Sequence, residues 1–224
     1  LGLTTDTQDL QGRILNDTSC AEVTLDRLAA VLQEFRGEIL QTPPMYSAVK
    51  VDGQRLYRLA REGRTVERRQ RRVHVYSLEV ESWHAGEHAR ATLKMEVSSG
   101  FYVRTLCADI GDRLGTGGAM EWLVRTGSGP FTIEMAHRLL EVEQWTSNDF
   151  REHLLPPEAA VQGMPRVEIT TVEGRRFCSG LPVAAGRGYT GIVRVHSQTG
   201  ELLGIGQATR GQDGIRPLKV LGAP

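Results

Sequence analysis

The chain has 224 residues, 27 basic and 27 acidic side chains, no net charge and 40% hydrophobic residues. This is the composition of a globular protein with a proper core, and it excludes both a disordered tail and an indiscriminately cationic DNA coat. No apolar run approaches a membrane span, and Cys20, Cys107 and Cys178 are too scattered for a disulfide framework; no signal peptide and a cytoplasmic location are expected.

The opening "LGLTTDTQD" is turn-rich and lacks a Met, so it reads as the middle of a domain. Leu25, Leu28, Leu32 and Phe35 then recur at helical spacing, with Thr24 as N-cap and Gly37 as stop. Pro43-Pro44 imposes an extended entry, Asp52-Gly53 a tight turn, and Leu56, Leu59 and Ala60 a short helix ended by Gly63. "RVHVYSLEVESW" and "ARATLKMEVSS" read as strands. The second alternates cleanly, whereas the first shifts phase between Val75 and Leu78, which predicts a bulge. From Val103 a helix repeats Leu106, Cys107, Ile110 and Leu114 on one stripe. Residues 139–165 are linker-like, punctuated by Pro156, Pro157 and Pro165. "RVEIT", "GIVRVHSQTGELLGIGQA" and "IRPLKVL" form a small β-rich, barrel-like unit with a hairpin at Thr199-Gly200.

The neutral total hides an asymmetry. Residues 50–72 hold nine Lys or Arg against three acids. A solvated Arg-rich loop would explain it, and so would a surface for an anionic polymer.

Few constellations carry chemistry. His84 and His88 have the spacing of helical zinc ligands, but "AGE" between them sits between strands, so no metal is expected. "LGTGGAM" follows a helix and lacks the Lys-Ser/Thr of a nucleotide loop, so it reads as a C-cap and turn. No Gly-x-Ser-x-Gly elbow is present. What remains is "SSGFYVRTL". If the strand persists to Arg104, Tyr102 and Arg104 share one face while Phe101 and Val103 enter the core. A cation in a helix's first turn opposes the macrodipole by about 0.3–1 kcal/mol, so a compensating carboxylate is expected. Asp109 or Asp112 would supply a mundane surface pair, and a binding site above the strand end is the alternative.

"TPPMYSAVKVDGQRLYRLAREG", "SSGFYVRTLCADIGDRLG", "WLVRTGSGPF" and "LGLTTDTQDLQG" together resemble the TruB family of tRNA pseudouridine synthases. The resemblance implies an α/β (α+β) fold, a mixed and mainly antiparallel sheet flanked by helices, plus a C-terminal PUA-like barrel. It implies a catalytic part over 1–140 with a basic RNA-binding insertion at 41–72, a linker at 141–164, and the PUA-like domain at 165–224. The implied reaction flips the T-loop uridine of tRNA out of its stack, breaks its glycosidic bond, rotates the uracil and rejoins it through C5, without cofactor or metal. The implied protein is a monomer.

By the same resemblance Arg104 holds the catalytic aspartate ionised, and Tyr102 lines the pocket under the flipped base. Leu123, Arg125 and Thr126 back that pocket, although Leu123 equally suits ordinary core. Lys50, Arg55, Tyr57 and Arg61 grip RNA, although Tyr46 and Tyr57 equally suit packing; Arg68, Arg69, Arg71 and Arg72 would add phosphate attraction. The family's nucleophile sits in a Gly-x-Leu-Asp-Pro-x-Ala-x-Gly motif that these residues do not contain, and Asp6, Asp9 and Asp109 do not match it. The expectation is therefore a fragment lacking the nucleophile and inactive alone. A tRNA-binding or folding module without chemistry is the competing reading, and another RNA-modifying enzyme sharing the β unit a third.

Overall fold

The computed structural model describes residues 1–184, 188–209 and 214–221. Residues 185–187, 210–213 and 222–224 of the expected C-terminal module lie outside them. The chain divides into two units, Leu1–Leu123 and Val124–Pro224, each with its own core.

In the first unit, β1 (Leu3–Thr5) and β2 (Ile14–Asp17) form a hairpin that frames the opening loop. Helix α1 (Leu25–Gln33) starts where expected, with Thr24 Oγ1 accepting from the Arg27 N–H. Gly37, at φ +82°, ends that run and begins β3 (Gly37–Gln41), a strand the apolar pattern had not announced. Asp52 and Gly53 both have positive φ, +49° and +80°, and join β4 (Lys50–Val51) to β5 (Gln54–Arg55) as a tight hairpin. The short helix α2 (Leu56–Arg61) follows, anchored by buried Leu56 and Leu59.

The main sheet has the order β3, β6 (Arg71–His84), β7 (Arg90–Val97), all antiparallel. The phase shift in β6 is structural: register slips occur between Val75 and Ser77 and between Val80 and Ser82. The bulges keep Val75, Leu78 and Val80 turned toward one core, where strict alternation would have exposed some of them. Against that face pack Leu28 and Leu32 of α1 and Leu106, Ile110 and Leu114 of α3 (Val103–Leu114). Each buried Leu or Ile contributes about 1.5–3 kcal/mol relative to exposure. Gly115 caps α3 in the left-handed conformation, φ +77°, as "LGTGGAM" predicts. The returning chain then crosses α3 so closely that a Cβ on Gly111 would lie 2.1 Å from the Gly117 carbonyl carbon. His84 closes β6 and His88 lies in the following loop, so the pair shares no helix.

In the second unit, β8 (Gly127–Ser128) and β9 (Phe131–Thr132) form a short hairpin, followed by α4 (Leu139–Val142) and α5 (Ser147–His153). Then come β10 (Arg166–Ile169), α6 (Thr171–Cys178), β11 (Val183–Ala184), β12 (Gly191–Ser197), β13 (Leu202–Ala208) and β14 (Gly214–Val220). They build a curled five-stranded sheet in the order β10-β12-β13-β14-β11. Phe177 of α6 is fully buried over β13, where Gly204 and Gly206 leave bare backbone: a Cβ at either would come within 3.4 Å of the ring. No helix among the described residues is long and apolar enough to cross a membrane.

Candidate active site

The site forms where β7 hands the chain to α3. Gly100, at φ +80°, turns the chain after the strand, and Phe101 packs onto the core. Tyr102 is extended, φ −111° and ψ 103°, and serves as N-cap without lending a side-chain bond. The strand ends at Val97 and the helix starts at Val103, so the strand alternation that would have put Tyr102 and Arg104 on one face does not run through them. What joins the two residues is the frame around them.

Arg104 reaches back to the opening loop, not along its own helix to Asp109 or Asp112. Its Nη1 donates to Asp9 Oδ2 at 3.1 Å and to the Thr7 carbonyl at 3.3 Å, while Nη2 donates to the Tyr46 carbonyl at 2.8 Å. The helix-dipole cost of a cation in the first turn is thus met by a carboxylate and two carbonyl dipoles. The N–H at Nε and a second one at Nη2 are not used by these bonds.

The opening loop is built to present Asp9. Thr5 Oγ1 donates to the Asp9 carbonyl at 2.6 Å, and Thr7 Oγ1 to Asp9 Oδ1 at 2.6 Å. The Gln11 N–H donates to the same oxygen at 3.1 Å. Gln8 sits at φ +64°, unusual for a residue with a side chain, and Thr105 Oγ1 of α3 bonds its Oε1 at 3.0 Å. Met120 N–H and carbonyl clamp Gln8 and Leu10, both at 3.0 Å. Partial burial pushes the Asp9 carboxyl up, but the Thr7, Arg104 and Gln11 donors outweigh it and hold it below the usual carboxylate range. Asp109 goes the other way: burial first, then the Asp112 charge, push it up.

Tyr102 is fixed by its backbone. Gln41, 1% exposed at the end of β3, accepts from the Tyr102 N–H at 3.0 Å and donates to its carbonyl at 3.2 Å. Gln41 and Tyr46, either side of buried Pro43-Pro44, therefore grip the two halves of the seam. Lys50 and Arg55 pair across the β4–β5 hairpin just beyond. Arg55 and Arg61 place their guanidinium carbons 5.9 and 5.6 Å from the Tyr57 ring centroid. Arg68 is partly buried and donates to the Pro43 carbonyl at 3.1 Å, whereas Arg72 makes an exposed surface pair with Glu38 at 3.0 Å. Leu123 closes the first unit, 54% exposed. Arg125 and Thr126 fall in the second unit and are exposed.

Sequence reasoning singled out Arg104 and Tyr102 but missed Gln41, Tyr46 as a carbonyl acceptor, and Asp9 as the partner of Arg104. The available signal for Asp9 was the Thr-x-Thr-x-Asp spacing, whose short polar side chains bond nearby backbone.

Comparisons with known proteins identify the family. A model described as the N-terminal domain of TruB family pseudouridylate synthase matches residues 1–103. The tRNA pseudouridylate synthase B C-terminal domain matches 104–162, and a TruB C-terminal model matches 165–221. tRNA pseudouridine synthase B of Clostridium tetani is 35% identical, over 99% of this chain and 75% of its own. That of Moorella thermoacetica is 38% identical, over 99% and 76%. A solved Cbf5-Nop10-Gar1 complex superposes with a TM-score of 0.65 at 28% identity, over 89% of this chain and 62% of that one. An H/ACA RNP bound to a substrate RNA containing 2'-deoxyuridine, at 24% identity and TM-score 0.60, supports the fold alone.

The fold and these matches define an enzyme of the pseudouridine synthase class, an isomerase, with a PUA-like module at its C-terminal end. The chain belongs to the TruB family.

Proposed function

We propose that the protein isomerises the T-loop uridine of tRNA to pseudouridine after flipping the base, and that Arg104 holds the attacking carboxylate. The observation that carries this is the half-used guanidinium. Asp9, Thr7 and Tyr46 fix Arg104 in place while N–H groups at Nε and Nη2 stay available for a second carboxylate. Asp9 itself is a poor nucleophile, because both its oxygens already accept hydrogen bonds. In this reading Asp9 aims Arg104, Arg104 keeps the nucleophile ionised, and the nucleophile comes from outside these 224 residues, since no Leu-Asp-Pro sequence occurs within them.

Tyr102 lines the base pocket and Leu123 backs it; unstacking the base costs a few kcal/mol that such walls repay. Lys50, Arg55, Tyr57 and Arg61 engage the RNA. Residues 1–140 serve catalysis, 141–164 connect, and 165–224 bind RNA; the protein works as a cytoplasmic monomer without cofactor. The names of the relatives, all tRNA pseudouridine synthases, support a tRNA substrate.

The test is carbodiimide-adduct mapping of a T-arm stem–loop RNA. The 224-residue chain is expected to yield no pseudouridine, whereas a longer version carrying the Leu-Asp-Pro segment yields it at the T-loop uridine. In that longer version Arg104→Ala lowers turnover roughly 100-fold or more with little change in RNA affinity. Product from the 224-residue chain would refute the placing of the nucleophile. RNA binding without product in both versions would favour a binding module.

A further inference from the structure

We infer that Tyr57 acts as an aromatic post that gathers Arg55, Arg58 and Arg61 into one clamp for the RNA phosphodiester backbone, and that it is not a platform for a base. The inference rests on the RNA-binding reading of the basic arm and specifies how that arm works.

Leu56 and Leu59 are 0% and 3% exposed and pin α2 by one side. At 100° per residue the opposite side carries Tyr57, Arg58 and Arg61, and Arg55 joins them from the end of β5. The Arg55 and Arg61 guanidinium carbons lie over the ring, 5.9 and 5.6 Å from its centroid. The Arg55 and Arg58 side chains also crowd the hydroxyl and hold the phenol below its usual range.

Most other arginines of this unit are engaged, and the exceptions among the described residues, Arg13, Arg69 and Arg71, do not gather round a ring, so the cluster at Tyr57 is what points to a ligand. Arg27, Arg36 and Arg68 donate to the carbonyls of Leu114, Leu78 and Pro43. Arg64, Arg72, Arg90 and Arg113 each have a carboxylate within 4.0 Å. Among the described residues Arg55, Arg58 and Arg61 have no such carboxylate. Three cations held together without a counter-charge repel one another, and an anion with several acceptor oxygens relieves that repulsion. Phosphodiester oxygens match the planar guanidinium fork. On a ring face covered by a guanidinium a base could stack only by displacing it, so the inferred contact is to backbone and carries little sequence preference.

The experiment follows binding of the 224-residue chain to a labelled T-arm stem–loop RNA by fluorescence anisotropy across a salt series. Tyr57→Leu is expected to weaken binding about 3- to 10-fold. It should also flatten the slope of log K against log salt by about one, as one phosphate contact is lost. Tyr57→Phe should bind within about two-fold of the wild type, since the ring is kept. Arg58→Ala should flatten the slope by about one, equally on the T-arm and on a stem–loop of scrambled loop sequence. If Tyr57→Leu leaves the slope unchanged and its loss disappears on RNA with an abasic loop, Tyr57 stacks on a base and the inference is wrong. Competition by polyglutamate as effective as that by RNA would overturn the assignment to phosphate. A wild-type chain that binds no RNA would remove the RNA-binding reading itself, and this inference with it.

Discussion

Gln41 is a residue whose importance lies wholly in what it touches. It is buried, and its amide pairs with both backbone groups of Tyr102, the last extended residue before α3. Gln41→Leu keeps the approximate volume but leaves the Tyr102 N–H without its partner, at a cost of about 1–3 kcal/mol, while the Tyr102 carbonyl keeps the Leu106 N–H. Urea denaturation of the chain should show that loss, with Gln41→Glu intermediate because Glu can still accept from the Tyr102 N–H. An unchanged midpoint for Gln41→Leu would mean the seam is held by other contacts. The residue-level reading of the sequence reached Arg104 because a cation at a helix start is conspicuous against the macrodipole. It could not reach Asp9 or Gln41. Both meet the seam across long sequence separations, 95 and 61 residues, and nothing local to either position encodes such a meeting.

At the level of elements, periodicity served where one stripe of a helix or one face of a strand is buried. Helices α1, α2 and α3 and the strands β6 and β7 emerge from the pattern, and so does the bulged register of β6. Helix α6 did not, because its apolar signal is a single residue: Phe177 is buried while Val172 is 71% exposed. Its clearer mark was the capping box, in which Thr170 Oγ1 accepts from the Glu173 N–H and Glu173 returns a bond to the Thr170 N–H. Strand β3 was obscured because Gly37 looked only like a helix stop. The glycines after α3 show a different limit. "LGTGGAM" announces a turn, but the reason for Gly111 is a backbone crossing that no local rule contains. Gly111→Ala would drive a Cβ into the Gly117–Gly118 peptide, 2.1 Å from both its carbon and its nitrogen. The expected cost is about 2 kcal/mol or more despite the helix propensity gained. The displaced segment carries Met120, which clamps Gln8 and Leu10. Gly111→Ala should therefore lower the melting temperature and disturb the Asp9 loop together, visible as faster amide exchange at Leu10. Rapid exchange there without a fall in melting temperature would separate the two effects.

In the first unit the response to acid depends on two carboxylates that are shifted in opposite senses, beside the lowered Glu134 and Asp149 of the second. Asp9 lies below its ordinary value of 3.8. The unfolded chain therefore binds its proton first as pH falls, and the stability that Asp9 contributes is full above that value and lost as pH drops through the lowered one. Asp109 lies above 3.8, from burial and the Asp112 charge. Its folded form binds the proton more readily, so the group favours folding at low pH and loses that advantage as pH rises through the raised value. The two partly cancel in the wild type and separate in variants. At pH 7 Asp9→Asn should lower the melting temperature, because Arg104 loses its charged partner, while Asp109→Asn should raise it by removing a poorly solvated charge. Below about pH 3 both differences should shrink, as the wild-type carboxyls become protonated and resemble the amides. Differential scanning calorimetry of the three proteins from about pH 2 to 8 makes the comparison. If Asp9→Asn were neutral at pH 7, the Arg104 frame would be held by the Thr7 and Tyr46 carbonyls alone. Asp9 would then have no part in aiming the guanidinium that the proposed chemistry requires.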